Sequence, residues 1–542
     1  MNTSATTSSP LLSLHNVCVS IRTDDGERTV LHDISFALHK SETLALVGES
    51  GSGKSICAQA ILGLLPKPAA HITRGEIHFD GQRIDNNLAV LHALRGKRIA
   101  MIFQEPMAAL NPVQTVGVQL SEVFTLHFPQ LDKQQIHTRS IALLQNVGVT
   151  EAEQRLLAYP HQLSGGLCQR VMIAMALACE PDILIADEPS TALDVSTQQQ
   201  LLLLLQELQK TFQMAVLFIT HDLAIVANWC QRVAVLQQGT LCEINNTAQL
   251  FAHPQHAYTR ALLAAIREAT PKDSHTEQLP VLLAAKNLCK TFSAPKRFLQ
   301  SAPPPHTVLH DVSFNIHQGE ILALVGESGC GKSTLGRALL FLDPPDSGDI
   351  IYAGQHLQSR NPHAMRALRR ELQVIFQDTN ESLNPRHTVG RILAEPLEIH
   401  DVGTPHEREA RVRELLRKVE LPEDSINRFP HEFSGGQRQR IGIARAIALN
   451  PALIVCDEAV SALDVSTQAQ IIALLLKLKS ELNLSLLFIT HDLGVVRKIA
   501  DRVLVMHAGR IVECGSSTHI FNAPQHPVTQ ALLSAAPHIP QH

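Results

Sequence analysis

Two related stretches decide the fold of this chain: LVGESGSGKS at Leu46–Ser55 and LVGESGCGKS at Leu324–Ser333. The first follows an apolar run at Thr43–Val47, which predicts a strand, and precedes a helix-compatible stretch at Ile56–Leu65. Its glycines allow backbone N–H groups to converge on an anion without interference from Cβ atoms, at a helix N-terminus that favours negative charge. This strand–loop–helix context is typical of a P-loop and predicts a phosphate-binding site in each half of the chain.

The two loops are parts of a repeat that runs through the whole chain. Their offset is 278 residues, and over the last third of each copy the offset is a constant 270 residues. A repeat of this length is a whole domain, because the repeats of solenoid proteins are far shorter. The sequence therefore predicts two copies of one domain. The motifs that share the constant offset are Ser-Gly-Gly at Ser164 and Ser434, Asp-Glu at Asp187 and Asp457, and a histidine at His221 and His491.

The domain boundary is predicted in a polar, proline-containing stretch without apolar periodicity, EATPKDSHTEQ. We therefore predict a first domain at residues 1–267, a linker at 268–278 and a second domain at 279–542. A further stretch, Ser293–His306, contains four prolines and predicts a surface loop between two early strands of the second copy. Its shorter counterpart in the first copy is Arg22–Thr29.

The composition excludes several classes of protein. The chain has 542 residues, a formal net charge of −5, 45% hydrophobic and 18% charged residues, as is usual for a globular protein. The acidic balance disfavours a protein that coats nucleic acid, and no apolar run approaches the ~18–20 residues that cross a bilayer. The first residues lack the basic and apolar regions of a secretory signal, so none is expected. Ten cysteines at irregular spacing are typical of reduced thiols, not of a disulfide or zinc framework.

In each copy a continuous apolar run ends in Asp-Glu downstream of the P-loop. These runs, Ile183–Ala186 and Leu453–Cys456, predict central parallel strands that are buried on both faces. Ligands gather at the carboxyl ends of parallel strands, so we expect the acidic pairs near the phosphates. In that context the aspartates would hold Mg²⁺ and the glutamates would polarise the attacking water. The aspartates are Asp187 and Asp457, and the glutamates are Glu188 and Glu458.

Other side chains complete the two predicted phosphate sites. The lysine of each P-loop can reach the β- and γ-phosphates, and the hydroxyl group of the serine after it can ligate Mg²⁺. A further apolar strand in each copy ends at a histidine, which we expect beside the γ-phosphate. These residues are Lys54, Ser55 and His221 in the first copy and Lys332, Ser333 and His491 in the second.

At its Ser-Gly-Gly motifs the chain resembles the ATP-binding-cassette (ABC) ATPases. The motif opens a helix about 20 residues before the Asp-Glu strand and provides a second anion-binding helix N-terminus. The series of P-loop, glutamine, Ser-Gly-Gly, Asp-Glu, Ala-Leu-Asp and histidine is highly specific, and it covers nearly the entire chain twice. Its further members are Gln104 and Gln377, Leu163–Gly166 and Phe433–Gln437, and Ala192–Asp194 and Ala462–Asp464.

The resemblance implies an α/β fold with two tandem P-loop ABC nucleotide-binding domains. Each would have a mainly parallel sheet core, an antiparallel β subdomain and a helical signature subdomain. ATP and Mg²⁺ are the implied cofactors, and ATP would lie between the P-loop of one domain and the signature of the other.

The resemblance also implies roles for particular residues. The catalytic residues would be Glu188, His221, Glu458 and His491. The Mg²⁺ ligands would be Ser55, Gln104, Asp187, Ser333, Gln377 and Asp457. The residues expected to bind ATP are Gly48, Glu49, Ser50, Gly51, Ser52, Gly53, Lys54, Ser55, Gly326, Glu327, Ser328, Gly329, Cys330, Gly331, Lys332, Ser333, Thr334, Phe292, Ser164, Gly165, Gly166, Ser434, Gly435, Gly436 and Gln437.

The two copies depart from the family pattern at several positions. An aromatic residue that stacks on adenine is expected at Phe292 in the second copy, whereas Ile21 stands at the matching place in the first. The first signature continues with Leu167 and Cys168, where the family commonly has a polar residue and an arginine. The residues that polarise water and contact the γ-phosphate are all retained, so we expect both sites to hydrolyse ATP at rates that need not be equal.

Two further motifs, FQEPMAALNP and PQHAYTRALL, resemble the oligopeptide/dipeptide/nickel importer group. The fused layout is similar to the ATPases of the microcin C/peptide and glutathione importers. The resemblance implies an ATPase that powers import of peptides or related small solutes, peripheral to the cytoplasmic face of the bacterial inner membrane. Its implied partners are two inner-membrane permeases, docked near Gln104 and Gln377, and a periplasmic substrate-binding protein, with no nucleic acid.

Two alternative interpretations concern an iron–sulfur cluster and the functional class of the protein. Some importer ATPases carry an iron–sulfur cluster near the tail motif, but this chain has no cysteine between Cys242 and Cys289 or after Cys514, so no cluster is expected. The tail motif is instead interpreted as a docking segment. Soluble fused ABC ATPases of translation or DNA repair are the alternative class. The short linker and the absence of zinc-type cysteine pairs disfavour them.

Overall fold

The chain forms two compact units that divide between residues 265 and 266. A computed structural model describes residues 9–23, 26–190, 195–267, 279–292, 305–357, 362–377, 382–460 and 463–535. The unit before the division is called unit one and the unit after it unit two. The predicted linker at 268–278, most of the Ser293–His306 loop and the first Ala-Leu-Asp motif lie outside the described residues.

Unit one is built on two sheets that meet at one pair of residues. Five strands run parallel in the order β6-β7-β8-β3-β9, with β10 antiparallel at the edge, and an antiparallel sheet has the order β5-β4-β1-β2. The register pair His32 and Thr240 joins β2 to β10. The strands are β1 Leu12–Thr23, β2 Gly26–Leu38, β3 Thr43–Val47, β4 Ala70–Phe79, β5 Gln82–Arg83, β6 Ile99–Ile102, β7 Ile183–Asp187, β8 Ala215–Thr220, β9 Arg232–Gln237 and β10 Thr240–Asn246.

The helices of unit one follow the P-loop, lie in the segments between β5 and β9, and form the tail. They are α1 Lys54–Leu62, α2 Leu88–Leu94, α3 Pro106–Ala109, α4 Val116–His127, α5 Lys133–Asn146, α6 Ala152–Arg155, α7 Gly165–Leu177, α8 Val195–Phe212, α9 Leu223–Trp229, α10 Thr247–Ala252 and α11 Ala257–Arg267, with a 3₁₀ turn at Pro160–Gln162.

Unit two repeats this topology. Its parallel strands have the order β16-β17-β18-β13-β19 with β20 antiparallel at the edge, and its antiparallel sheet has the order β12-β11-β14-β15. The strands are β11 Val281–Phe292, β12 His306–His317, β13 Ile321–Gly326, β14 Ser347–Tyr352, β15 Gln355–His356, β16 Leu372–Ile375, β17 Leu453–Asp457, β18 Ser485–Ile489, β19 Arg502–His507 and β20 Arg510–Ser516.

The helices described in unit two follow the same order along the chain as their counterparts in unit one. They are α12 Lys332–Leu339, α13 Pro362–Glu371, α14 Val389–Ile399, α15 Pro405–Lys418, α16 Gly435–Ile447, α17 Val465–Leu482, α18 Leu493–Ile499, α19 Ser517–Asn522 and α20 Pro527–Ala535, with 3₁₀ turns at Glu423–Asn427 and Pro430–Glu432.

The apolar runs of the sequence become the buried centre of each parallel sheet. Every residue of β3, β7, β13 and β17 is buried, as expected for strands that are covered on both faces. The predicted fold class, α/β with parallel, antiparallel and helical parts in each copy, is therefore confirmed. Because the strands are parallel, the P-loop, the Asp-Glu pair and the histidine of each unit all follow the same edge of its sheet.

The predicted loop at Arg22–Thr29 is wrong. Strand β1 runs to Thr23 and β2 begins at Gly26, so most of the predicted loop belongs to the two strands. The hydroxyl group of Thr23 donates to the Gly26 carbonyl oxygen at 2.9 Å and closes the hairpin. Cross-strand pairs such as Arg22 with Glu27 continue the ladder through residues whose polarity favoured a loop.

Within the ranges that the structure describes, no helix is both long and apolar enough to cross a membrane.

Candidate active site

Glycines shape the P-loop of each unit. Gly53 has φ 101° and ends the loop directly before α1, and a Cβ atom there would lie 2.5 Å from the Leu31 side chain. At Gly48 a Cβ atom would lie 2.1 Å from the carbonyl oxygen of Leu236, so no other residue fits. At Gly51, with φ 76°, a Cβ atom would meet nothing within 4 Å, and this side of the loop is open. Unit two has the same pattern at Gly326, Gly331 and Gly329.

The lysine of each P-loop lies folded back under its own loop. The Lys54 ammonium group donates to the carbonyl oxygens of Gly48 and Glu49, both at 2.8 Å, and the side chain is buried. Lys332 makes the same two contacts in unit two, to Gly326 and Glu327, again at 2.8 Å. A buried ammonium group on a loop of converging N–H groups fits a phosphate, because charge-assisted hydrogen bonds to anions are strong.

The aspartate at the end of the central strand contacts the serine of the P-loop. The Ser55 hydroxyl donates to Asp187 Oδ1 at 3.1 Å, and the Ser333 hydroxyl donates to Asp457 Oδ1 at 2.9 Å. Burial raises the pKa of Asp187 to about 6, with a further contribution from the charge of Glu188, although the Ser55 hydrogen bond opposes the shift. Burial also raises the pKa of Asp457.

This pair of oxygen ligands fits Mg²⁺. A magnesium ion is commonly held by one or two protein oxygens together with substrate phosphates, and a buried carboxylate with a raised pKa is stabilised by a cation. Among the described residues, no group of three or more His, Cys, Asp and Glu side chains gathers in the manner of an all-protein metal cage. The donor set therefore suits an ion that arrives with a phosphate ligand.

Changing Asp187 to Asn is expected to stabilise the nucleotide-free protein while lowering ATP turnover. Above the folded-state pKa of about 6 the buried carboxylate is charged, so the burial cost is fully present at pH 7.5 and is lost as pH falls through that value. Removing the charge should raise the free energy of unfolding by about 1–3 kcal/mol. Thermal unfolding of the nucleotide-free chain measures the gain, with exposed Glu122→Gln as the control for net charge. A lower melting temperature for Asp187→Asn would contradict the assignment.

The glutamate that follows the aspartate is held between a glutamine and a histidine. Glu188 Oε2 accepts from the Gln104 side-chain amide at 2.9 Å, and Glu188 Oε1 lies 3.3 Å from His221 Nδ1. Glu188 is in the left-handed region, with φ 46°, which costs of order 1–3 kcal/mol for a non-glycine residue. Its N–H donates to the Ile219 carbonyl oxygen at 2.9 Å, and this bond holds the backbone.

Unit two repeats this arrangement almost atom for atom. Glu458 accepts from the Gln377 amide at 2.8 Å, lies 3.4 Å from His491 Nδ1 and has φ 47°. A strained backbone that recurs at both glutamates indicates that their orientation serves the site. The structure thus brings together in each unit the lysine, serine, glutamine, aspartate, glutamate and histidine that the sequence predicted.

The surroundings of the two histidines raise their pKa values. Burial opposes a charge on His221, but the hydrogen bond and negative charge of Glu188, together with Asp222, outweigh it and raise the pKa. The same causes raise the pKa of His491 beside Glu458 and Asp492. A protonated imidazole can both orient the carboxylate and donate to a phosphate oxygen.

Each signature motif caps a helix of its own unit. The Ser164 hydroxyl accepts from the N–H of Leu167 at 3.3 Å at the start of α7, and the Ser434 hydroxyl accepts from the N–H of Gln437 at 3.4 Å at the start of α16. Ser164, Gly165, Ser434 and Gly435 are exposed, so both helix N-termini are accessible to an anion.

The two signatures differ in how firmly they are capped. In unit two the Gln437 side chain also accepts from the Ser434 N–H at 3.0 Å and completes a capping box. In unit one Leu167 has no such group. Cys168 is buried with its thiol 3.4 Å from the Pro160 carbonyl oxygen, whereas Arg438 donates to the Phe433 carbonyl oxygen at 2.9 Å. The departures seen in the sequence are therefore local changes in helix capping and packing.

The expected adenine positions also differ. Phe292 ends β11 with 44% of its surface exposed, and the Lys290 ammonium nitrogen lies 5.6 Å from the centroid of its ring. Ile21 is partly buried and packs against the core of unit one. Phe292 thus presents an open aromatic surface, while Ile21 presents mainly an apolar edge.

One residue at the nucleotide site of unit one was not predicted from the sequence. Tyr258, in the PQHAYTRALL motif, contacts the backbone of the P-loop, since its hydroxyl oxygen accepts from the Glu49 N–H at 3.2 Å. The sequence interpretation of this motif as a docking segment assigns it no chemical role. Sequence comparison of the two copies offered one signal, because the second motif has Val528 in the matching place.

The fold and the two sites define a P-loop nucleotide hydrolase with two nucleotide-binding domains. The chain belongs to the ABC transporter family, whose pattern matches residues 31–191 and 309–461, and it is an ATPase of that family. Residues 242–293 and 512–542 match the oligopeptide/dipeptide transporter C-terminal region. The predicted resemblance is thereby confirmed.

The chain is similar to curated relatives over nearly its full length. It is 46% identical to the glutathione import ATP-binding protein GsiA of Pectobacterium atrosepticum, covering 94% of this chain and 87% of that protein. It is 44% identical to GsiA of Escherichia coli strain K12, covering 97% and 89%. A solved dimer of the ATP-binding cassette MJ0796 in a post-hydrolysis state is 31% identical over 44% of this chain and 99% of that one, with a TM-score of 0.39.

Proposed function

We propose that this chain is the ATP-hydrolysing subunit of an importer for glutathione or related small peptides, peripheral to the cytoplasmic face of an inner membrane. The observation that carries the proposal is the pairing, in each unit, of a complete P-loop, Gln, Glu and His site with an oligopeptide/dipeptide transporter C-terminal region. Relatives that are 44–46% identical over most of the chain are named glutathione import ATP-binding proteins.

The chemistry follows from the contacts within each unit. Lys54 and the P-loop N–H groups bind the phosphates, while Ser55 and Asp187 supply oxygen ligands for Mg²⁺. When bound, Mg²⁺ would neutralise negative charge on the phosphates of the nucleotide. Glu188, oriented by Gln104 and His221, accepts a proton from the attacking water, and the same roles fall to the matching residues of unit two. The conserved geometry of both glutamates supports hydrolysis at both sites.

Each signature is further proposed to bind the γ-phosphate of an ATP. The exposed helix N-termini that Ser164 and Ser434 cap would supply backbone N–H groups to such a phosphate. Such contacts exist only while the γ-phosphate is present. Hydrolysis therefore removes the interaction that favours the ATP-bound conformation over the other. A change between two conformations that depends on ATP hydrolysis is what a permease pair requires of its ATPase.

The surface around Gln104 suits a permease contact. Phe103 is 41% exposed and Met107, on the short helix α3, is 48% exposed. Exposed apolar side chains beside a residue that contacts the catalytic Glu188 would link an attached partner to the nucleotide site. We propose two permeases and a substrate-binding protein as the partners, with one permease received near Gln104 and the other near Gln377.

Reconstitution tests the proposed function. The full chain is co-expressed with a permease pair and a substrate-binding protein of a glutathione or oligopeptide importer, purified through a tagged permease and placed in lipid vesicles. We expect co-purification, ATP hydrolysis stimulated by the binding protein loaded with glutathione or a dipeptide, and solute uptake that requires ATP. The Glu188→Gln/Glu458→Gln variant is the matched control, which should assemble but not transport. Co-purification with ribosomes or DNA, and with no permease pair, would refute the proposal.

A further inference from the structure

A tyrosine in the tail of unit one contacts the P-loop. Tyr258 is the second residue of α11 and is 9% exposed. Its hydroxyl oxygen accepts from the N–H of Glu49 at 3.2 Å. The amide that donates this bond belongs to the peptide unit between Gly48 and Glu49, whose carbonyl oxygen is that of Gly48. That carbonyl oxygen accepts from the Lys54 ammonium group at 2.8 Å. Tyr258 and Lys54 therefore hold the two ends of one peptide unit.

This peptide unit begins the P-loop, and its orientation decides where the lysine lies. If the peptide rotated, the Gly48 carbonyl oxygen would leave the ammonium group and the Glu49 N–H would leave the tyrosine. Gly48 has no Cβ atom to restrict such rotation, although close approach to Leu236 limits it on one side. The hydrogen bond from the Glu49 N–H to the buried tyrosine hydroxyl therefore fixes this part of the loop directly.

The tyrosine is held in place by a docking arrangement that both units share. The Glu243 carboxylate on β10 accepts from the backbone N–H groups of Gln255 and His256, at 3.0 and 2.9 Å, just before α11. In unit two the Glu513 carboxylate accepts from Gln525 and His526 at 2.8 and 3.1 Å. These bonds anchor the tail to the sheet edge. The anchoring fixes the position of the first turn of the tail helix in each unit.

The units differ in what the anchored helix presents to the P-loop. Val528 is the second residue of α20 and occupies the place of Tyr258, and its side chain has no atom that can accept a hydrogen bond. The lysine contacts are otherwise equal, since Lys332 lies 2.8 Å from the Gly326 carbonyl oxygen. Among the described residues, a side-chain hydroxyl of the tail contacts the P-loop in unit one, at Tyr258, and not in unit two.

We propose that Tyr258 is a positioning residue for ATP binding in unit one, which makes the nucleotide affinity of that site depend on the docked tail. The inference rests on the proposed function, because it assumes that the P-loop binds ATP. A loop that is held in its binding conformation has a higher apparent affinity for ATP, because a larger fraction of the free protein is then competent to bind. Unit two lacks this hydroxyl, so the two sites respond differently to movement of their tails.

The test uses the full-length chain with Lys332→Ala, so that the remaining nucleotide affinity reports on unit one. Adding Tyr258→Phe keeps the ring and removes the hydroxyl group. We expect the affinity for a fluorescent ATP analogue with Mg²⁺ to fall about three- to tenfold, the range of one hydrogen bond. The KM for ATP should rise by a similar factor with little change in kcat at saturating ATP. Amide exchange in the peptide covering Leu46–Ser55 should become faster in the nucleotide-free protein.

Controls separate this inference from the proposed function. Val528→Ala in a Lys54→Ala background is the matched change in unit two and should leave nucleotide affinity and kcat unaltered. If the parent chain binds ATP but Tyr258→Phe changes neither its affinity nor the amide exchange of the P-loop, the inference is wrong. If Tyr258→Phe only lowers the melting temperature, the tyrosine is merely structural and the inference is also wrong. If the parent chain does not bind ATP at all, the proposed function itself fails.

Discussion

Changing Glu188 and Glu458 together to Gln is expected to lower ATP turnover by about 100-fold or more while leaving ATP binding intact, since general-base catalysis contributes on the order of 10²–10⁴. Glutamine has the shape of glutamate and can still accept from Gln104 or Gln377, but its amide cannot accept a proton from water. Phosphate release at saturating ATP measures the rate, and titration of a fluorescent ATP analogue measures binding.

The single changes show whether both units are catalytic. Because the Gln–Glu–His geometry is nearly identical in the two units, Glu188→Gln and Glu458→Gln should each lower turnover. An unchanged rate for one of them would mean that its site does not hydrolyse ATP. Glu122→Gln, at an exposed position on α4, is the control for loss of a carboxylate and should leave the rate unaltered.

Changing Lys54 and Lys332 to Ala is expected to remove nucleotide binding stepwise. Each lysine is buried and its ammonium group is fixed by two carbonyl oxygens of its P-loop, so its position is set before a phosphate arrives. Loss of charge-assisted bonds to phosphate should weaken binding at the altered site by about 100-fold. Calorimetric titration should give two ATP per parent chain, one for either single variant and none for the double variant.

Lys40 provides the control for loss of a positive charge outside the P-loops. Lys40 is exposed in the turn before β3, and Lys40→Ala removes the same charge without touching the P-loop. We expect it to bind two ATP with the parent's affinity. If the double variant Lys54→Ala/Lys332→Ala still bound two ATP, the P-loops could not be the nucleotide sites. Melting temperatures of the nucleotide-free variants show whether loss of binding reflects unfolding.

Much of the fold was predictable because its signals are local. The apolar runs that became β3, β7, β13 and β17 are continuous, and the glycine-rich loops lie between strand and helix where the pattern requires them. The hairpin at Arg22–Thr29 was misjudged because its residues are polar, and strand pairing there depends on partners across the ladder. Propensity alone does not report such pairing.

The nucleotide sites were predictable as sets of residues but not as contacts. The series of motifs named Gln104, Glu188 and His221, yet it did not indicate that the glutamine and histidine hold the two oxygens of one carboxylate. The raised pKa values of Asp187 and of the histidines likewise arise from burial and neighbouring charge. Burial of these side chains depends on residues that are far apart along the chain.

The sequence by itself determined the duplication, the P-loop ATPase class and the residue types at each site. These features are recognisable from motifs because strand–loop–helix geometry fixes the spacing of the residues in each motif. Only the tertiary structure decided that Tyr258 holds the peptide that starts the first P-loop while Val528 cannot do so in the second. That contact joins residues more than 200 positions apart. It arises because two hydrogen bonds to the Glu243 carboxylate dock the tail at the sheet edge, and folding of the unit brings that edge to the P-loop.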